Sequence, residues 1–223
     1  MLVLALDTTT RSGSCAVVRD GVVVREQRSD ADRPHATRLP ADLMMLLAQS
    51  DLHLRDIDVF AVATGPGSFT GLRIGIATMQ GLAFASGQPL IGVSTLDALA
   101  EIAGAGQVAT WVDAWRGEVY AAVYAEGLAT AEPVVAHPTE LLQSLSGPTT
   151  FIGDGAESYR ALIVQSVGGA CFHEPARPAL AGTIGRLAVA RAHAGERPDP
   201  DAIRPIYVRR PDVELIREVR DGG

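Results

Sequence analysis

The chain has 223 residues, a formal net charge of −7, and a composition that is 47% hydrophobic but only 5% aromatic. Disorder is excluded by that apolar content, and the acidic balance disfavours unaided binding to a phosphate backbone. With Cys15 and Cys171 as the only cysteines, no four-cysteine zinc site or disulfide framework can form, which fits a reducing, cytoplasmic setting.

The N-terminus lacks a basic leader and reaches Asp7 directly, so Leu2 to Leu6 reads as a buried strand rather than a signal peptide. Asp7-Thr8-Thr9-Thr10-Arg11-Ser12-Gly13 then turns into a second strand, Ser14 to Val18. Asp20-Gly21 makes a hairpin into Val22-Val23-Val24. From Ala36 the period becomes helical: Leu39, Leu43, Leu46 and Leu47 recur on one face, with Pro34 just before the start. Met44, Met45 and Ala48 fall on other faces, so this helix is expected to bury two sides.

An apolar run, Val59 to Ala63, ends in Thr64-Gly65-Pro66-Gly67-Ser68, and a long helical pattern follows from Thr70 to Ala85. A strand delivered by a glycine turn onto a helix N-terminus can hold an anion. The common phosphate signatures are absent, however. The chain has no lysine for a Walker loop, and Gly65, Gly67 and Gly71 are spaced G-x-G-x-x-x-G rather than G-x-G-x-x-G. The alternative is that Gly65 and Gly67 supply turn dihedrals while Gly71 permits close packing.

No charge occurs between Ile74 and Ala85. Gly71 and Gly75 form one small-residue pair, and Ala77, Gly81 and Ala85 form a second stripe at four-residue spacing. Either each helix is sandwiched within its own half, or the two together present an apolar face to a second protein, the reading preferred here. The uncharged stretch from Ile74 to Leu96 is interrupted by Gln80, Ser86, Gly87, Gln88 and Pro89, which argues against a membrane span. Pro89 to Val93 reads as a strand, with Ser94 or Thr95 capping a helix through Ile102. Gly104-Ala105-Gly106 is a natural boundary, dividing the chain into halves at 1–103 and 107–223.

After the boundary the pattern repeats. Val108 to Val112 is a strand ending at Asp113, and Asp113-Ala114-Trp115-Arg116-Gly117 leads into a strand from Glu118 to Tyr124. Thr150 to Ala156 sends a short strand through Gly153-Asp154-Gly155 into a helix from Glu157 to about Val164, echoing Val62 to Ser68. Two matched landmarks in matched order predict an internal duplication. Leu180 to Ala192 is a further helix. In the tail from Ile203, the segment is expected to pack through Ile206, Tyr207 and Val208; a second reading has Arg204, Arg209 and Arg210 reaching phosphate or a partner's acids.

Two such halves resemble the actin, sugar-kinase and Hsp70-type ATPase fold. Within it, Leu4-Ala5-Leu6-Asp7-Thr8, the segment Gly65-Pro66-Gly67-Ser68-Phe69-Thr70-Gly71-Leu72-Arg73-Ile74-Gly75, Gly92-Val93-Ser94-Thr95-Leu96 and Asp113 to Tyr120 resemble the TsaB (YeaZ) family. The resemblance implies an α/β, duplicated RNase H-like fold: two βββαβα-type halves with mixed sheets flanked by helices. It also implies a non-catalytic accessory role in placing threonylcarbamoyl on adenosine 37 of tRNAs that read ANN codons. The family pairs with catalytic TsaD through its first two helices and helps recruit TsaE, so contact with tRNA is indirect, and a homodimer is expected without the partner. Leu39, Leu43, Leu46, Leu47, Leu72, Ile76, Met79 and Ala83 are the candidate contacts.

TsaD places an H-x-x-x-H metal pair where this chain reads Ser94-Thr95-Leu96-Asp97-Ala98, and the five histidines fall in separate segments, so no metal is expected. Asp7, Thr8, Thr9, Gly65, Gly67 and Asp113 mark a degenerate nucleotide cleft. Kinases of the fold follow the acid with glycine, whereas Asp7 is followed by threonines and Asp113 by Ala-Trp-Arg, whose side chains crowd a phosphate. At most weak ADP or ATP binding at the joint with TsaD is expected. The rival reading is a stand-alone ATPase or small-molecule kinase using Asp7 and the Gly65–Gly67 turn. Neither H-E-x-x-H nor G-x-S-x-G occurs to support a hydrolase.

Overall fold

Strand order makes the duplication visible. The structure, a computed structural model, describes residues 1–206 and 208. Its first half runs β1 (Leu2–Asp7), β2 (Ser14–Arg19), β3 (Val22–Arg28), α1 (His35–Ala48), β4 (Val59–Gly65), α2 (Phe69–Ser86), β5 (Leu90–Ser94) and α3 (Thr95–Ala103). The second half runs β6 (Gln107–Asp113), β7 (Val119–Ala125), β8 (Leu128–Ala129), β9 (Val134–Ala136), α4 (Pro138–Ser144), β10 (Thr149–Ile152), α5 (Asp154–Ser158), α6 (Arg160–Ser166), β11 (Ala170–Phe172) and α7 (Ala181–His193). The first sheet is ordered β3-β2-β1-β4-β5 and the second β8-β7-β6-β10-β11, with β9 also on β7. In each, the opening strand pairs antiparallel with the next strand and parallel with the strand that ends at the glycine turn.

Central strands β1 and β4 are covered on both faces, which is why they read as unbroken apolar runs instead of alternating ones. Leu4, Leu6, Phe60 and Val62 point to one side and meet α1 and α2. Val3, Ala5, Val59, Ala61 and Ala63 point to the other side and meet α3 and α7. The β2–β3 hairpin turns on Asp20 (φ 49°) and Gly21 (φ 82°), the left-handed pair that a two-residue connection of right-twisted strands requires. The uncharged stretch ends its helix at Gly87 (φ 66°) and becomes β5, and among the described residues no helix is long and apolar enough to cross a membrane.

Two expectations need correction. The helix predicted from Glu157 to about Val164 is broken at Tyr159 into α5 and α6. The division at 1–103 and 107–223 follows the chain but not the packing, because α7 lies on the first sheet, across β1, β2 and β4. Meanwhile α3 leans on β6 and β10 of the second sheet. The physical reason is local. A Cβ at Gly185 would sit 2.5 Å from the Val18 side chain, so only glycine lets α7 approach that closely. The unpaired N–H groups at the N-terminus of α7 are met from the other half. Ser14 Oγ accepts from the N–H groups of Leu180 and Ala181 at 3.2 and 3.0 Å, and Glu26 accepts from Gly182 N–H at 2.8 Å.

Candidate functional site

Asp7 ends β1 beside the glycine turn that ends β4. Its Oδ1 accepts from the backbone N–H of Thr9 at 2.8 Å and from Thr9 Oγ1 at 2.6 Å, so the carboxyl is folded onto its own turn. Burial pushes its pKa above the ordinary 3.8, against the lowering effects of the Thr9 hydrogen bonds and of His35 and Arg28. The glycine turn has Gly65 at φ 102°, a conformation that other residues adopt only under strain. Gly67 is needed for a different reason than dihedral freedom: a Cβ there would lie 2.6 Å from Thr9 Cβ. Likewise a Cβ at Gly71 would meet the Thr8 carbonyl, and one at Gly75 the Thr8 hydroxyl, each at 2.1 Å. The small-residue pair on α2 thus receives Thr8, not another helix. Ser68 caps α2 by accepting from Gly71 N–H at 3.2 Å, and its own N–H donates to the Thr9 carbonyl at 2.9 Å.

Asp7, Thr8, Thr9, Gly65 and Gly67 are therefore brought together, with the two threonines filling the space between the turns. Asp113 stands in the matching turn of the second half. Its carboxylate accepts from Trp115 N–H at 2.8 Å and its own N–H donates to Asp154 at 2.9 Å. Trp115 (φ 62°) and Arg116 (φ 59°) are both left-handed there, and the Trp115 indole is 74% exposed. Among the described residues, no group of three His, Cys, Asp or Glu side chains gathers as a metal-ligand set.

The raised pKa of Asp7 yields a stability prediction. The unfolded chain releases this proton near 3.8, while the folded chain holds it to higher pH, so folding is favoured by this group below 3.8 and loses that contribution as pH rises through the folded value. Asp7→Asn, which cannot ionise but keeps an Oδ acceptor for Thr9, is expected to raise the thermal midpoint at neutral pH and to flatten the pH dependence above 3.8. Calorimetric melts of the two chains across pH check it, and a lower midpoint at neutral pH contradicts it.

Sequence reasoning missed a cluster that ties this turn to α1. Arg38 is only 1% exposed, and its guanidinium donates to the carbonyls of Arg33 (3.0 Å), Arg11 (2.9 Å) and Ser12 (2.5 Å) and to Asp42 (3.2 Å). It also donates to His35 Nδ1 at 2.8 Å, leaving the imidazole proton on Nε2, 2.9 Å from the Thr10 carbonyl. Burial lowers the His35 pKa, in keeping with a neutral ring. The available signal was weak: Arg38 and Asp42 stand four apart, as many solvent-exposed pairs do.

The eight predicted contact residues are corrected by the structure. Leu39, Leu43, Leu46, Leu47, Leu72, Ile76, Met79 and Ala83 are 0 to 4% exposed. All but Leu72 pack in one cluster with Leu4, Leu6, Phe60 and Val62, and Leu72 lies against Gly65. The strongest aliphatic face of an amphipathic helix goes to its own sheet, because that burial is available within the chain. What the two helices leave exposed is a second apolar set: Met44 (56% exposed) and Met45 (53%) on α1, and Phe84 (83%) with Ala77, Gly81 and Ala85 on α2. A Cβ on Gly81 would meet nothing within 4 Å, so the second small-residue stripe faces open space.

The C-terminal arginine reading is only partly described. Arg204 donates to the carbonyls of Asp201 and Ile203, and Ile206 is half exposed, while Tyr207, Arg209 and Arg210 lie outside the described residues.

The chain is similar to known proteins along most of its length. A family model described as TsaD, tRNA N6-adenosine threonylcarbamoyltransferase, matches residues 22–169. The tRNA threonylcarbamoyladenosine biosynthesis protein TsaB of Escherichia coli (strain K12) is 38% identical, over 71% of this chain and 74% of that protein. Among solved structures, YeaZ from Pseudomonas aeruginosa has a TM-score of 0.76 at 29% identity, covering 93% of this chain and 100% of that one. Component A of the (R)-2-hydroxyglutaryl-CoA dehydratase of Acidaminococcus fermentans has a TM-score of 0.55 at 11% identity, over 86% and 99% of the two chains, a likeness of fold alone. The duplicated sheets and these neighbours give the α/β fold of the actin-like ATPase and sugar-kinase superfamily.

Proposed function

This chain belongs to the TsaB (YeaZ) family, and we propose that it serves tRNA threonylcarbamoyladenosine biosynthesis as a non-catalytic scaffold, pairing with a TsaD-type transferase and helping to recruit a TsaE-type ATPase. The observation that carries this reading is the apolar surface that α1 and α2 each leave exposed, Met44 and Met45 on α1 and Phe84 with a stripe of small residues on α2. A soluble chain gains little by exposing such a face unless a partner covers it. On this reading the partner uses the outer face of the same two helices whose inner face builds the core, and in its absence the face is covered by a second copy.

The filled turn supports the non-catalytic part. Thr8 and Thr9 occupy the space against Gly67, Gly71 and Gly75 that a phosphate would need, and Asp7 is engaged with Thr9. The test has two arms. Cells depleted of the chain are expected to lose threonylcarbamoyladenosine from tRNA, read by nucleoside mass spectrometry. The isolated chain is expected to show no turnover of Mg-ATP in calorimetry. Micromolar ATP binding with turnover by the chain alone would establish the rival kinase or ATPase, and unchanged tRNA after depletion would remove the role in modification.

A further inference from the structure

The chain passes from its first half to its second between α3 and β6, through Gly104 (φ 88°) and Gly106 (φ 89°). Both are left-handed, and a Cβ on either would meet nothing within 4 Å. Two such residues out of three, with open space around them, have the local chemistry of a hinge. A set of polar contacts spans it. Tyr124 of β7 donates through Oη to Asp97 Oδ1 of α3 at 2.8 Å. Arg191 of α7 donates to the other oxygen of that carboxylate at 3.3 Å and to the Gly92 carbonyl of β5 at 2.8 Å. One carboxylate therefore ties the second sheet to α3 and, through Arg191, to α7 and β5 on the first.

We propose that Asp97, Tyr124 and Arg191 form a latch that holds the glycine hinge at one angle, so that the two halves move as a single rigid body. The inference rests on the non-catalytic reading and deepens it, because halves that cannot swing about Gly104 and Gly106 cannot close over a ligand. Position explains why the latch must break before any swing. Asp97 stands in the first turn of α3, before the hinge, and Tyr124 lies on β7, beyond it, so rotation there changes the distance between them. An O–H···O bond holds its atoms within about 2.5–3.0 Å. The ring of Tyr124 adds a second restraint. It is 4% exposed, in a core that joins Val93, Leu96 and Leu99 of the first half to Val108, Ala122 and Ile152 of the second. Burial and the neighbouring Asp97 carboxylate push the Tyr124 pKa above its ordinary 10.0, so the hydroxyl remains a donor at neutral pH. Asp97 is not needed as the cap of α3. Ser94 Oγ already accepts from the N–H groups of Leu96 and Asp97 at 3.2 and 3.4 Å, and the carboxylate reaches outward to the other elements.

Two measurements on the full chain test the latch. Trp111 and Trp115 are the two tryptophans and both lie in the second half, so their fluorescence follows that half while far-UV circular dichroism follows the whole chain. In urea the parent is expected to show coincident transitions by the two probes, and the pair Asp97→Asn with Tyr124→Phe is expected to separate them. The pair keeps the Ser94 cap and leaves the aromatic ring in the core; if it fails to fold, Tyr124→Phe alone carries the test. Dyes on Val22→Cys and Leu128→Cys, at exposed positions of the two halves in a Cys171→Ser chain, read the angle between halves by single-molecule energy transfer at picomolar dilution. One narrow peak is expected for the parent, unmoved by Mg-ATP, and a broadened or second peak for the latch variant. A narrow, unchanged peak in the variant would overturn the proposal, and so would a broad peak in the parent or one that Mg-ATP shifts. Turnover of Mg-ATP with an unmoved peak would remove the non-catalytic role and leave the latch standing.

Discussion

Gly81→Asp is expected to abolish co-elution with a TsaD-type partner while leaving the chain folded. Gly81 is exposed at the centre of the small-residue stripe, and an added Cβ meets nothing within 4 Å, so the substitution introduces no clash within the monomer. Replacing an interior helix glycine also removes a backbone-entropy cost of up to about 1 kcal/mol, partly offset by the modest helix propensity of Asp. In a complex, the same carboxylate would be buried against an apolar helix with nothing on α2 to pair it, since that helix carries only Arg73, eight residues earlier. An unpaired charge at an interface costs about 2–5 kcal/mol, or roughly two orders of magnitude in affinity. Ala77→Asp is expected to act alike from the next turn. Size-exclusion chromatography with partner, together with a circular-dichroism melt of the chain alone, checks both halves of the claim. Pairing at parental affinity would show that the outward face is not the partner site. The contrast is Leu46→Asp, at a buried position on α1, which is expected to unfold the chain.

Arg38→Ala is expected to destabilise the fold by about 3 kcal/mol or more. Its guanidinium is the common donor for the carbonyls of Arg11, Ser12 and Arg33 and for His35 and Asp42. Through these bonds it holds the turn after Asp7 onto the first turn of α1. Truncation leaves several acceptors without their donor at a place where the side chain was 1% exposed, and water has little access to replace it. Hydrogen bonds to a charged group contribute about 1.5–3 kcal/mol each, offset by the guanidinium's own desolvation cost, which leaves a net loss of the stated size. Arg38→Lys is expected to recover little, because one ammonium cannot reproduce a fork of donors pointing in several directions. Urea melts give the stability difference directly, and a loss under about 1 kcal/mol would mean that water substitutes for the clip.

Much of the fold can be read without coordinates because it is local. Strands β1 and β4 are apolar without interruption since both faces are covered, Asp20-Gly21 dictates a tight hairpin, and Ser68 and Ser94 cap the helices that follow them. The two acid-ended strands with their glycine turns likewise announce the duplication that the strand order bears out. Each of these features depends on residues that are near neighbours in the chain.

Direction and long-range partnership are different. Helical spacing established that α1 and α2 are apolar on more than one side, and residues alone therefore determined that these helices have a face to spare. It did not determine which side, because a period specifies angles between side chains and not where the sheet lies; packing chose the leucine face for the core and left Met44, Met45, Phe84 and the Ala77–Gly81–Ala85 stripe outward. The same holds for α7, whose place on the first sheet depends on Gly185 meeting Val18 and on Ser14 and Glu26 capping its N-terminus, contacts made across more than 150 residues of chain. Arg38 is the plainest case. In one dimension it is one arginine among many, and only the closing of the Asp7 turn over α1 makes it the hub of a buried network.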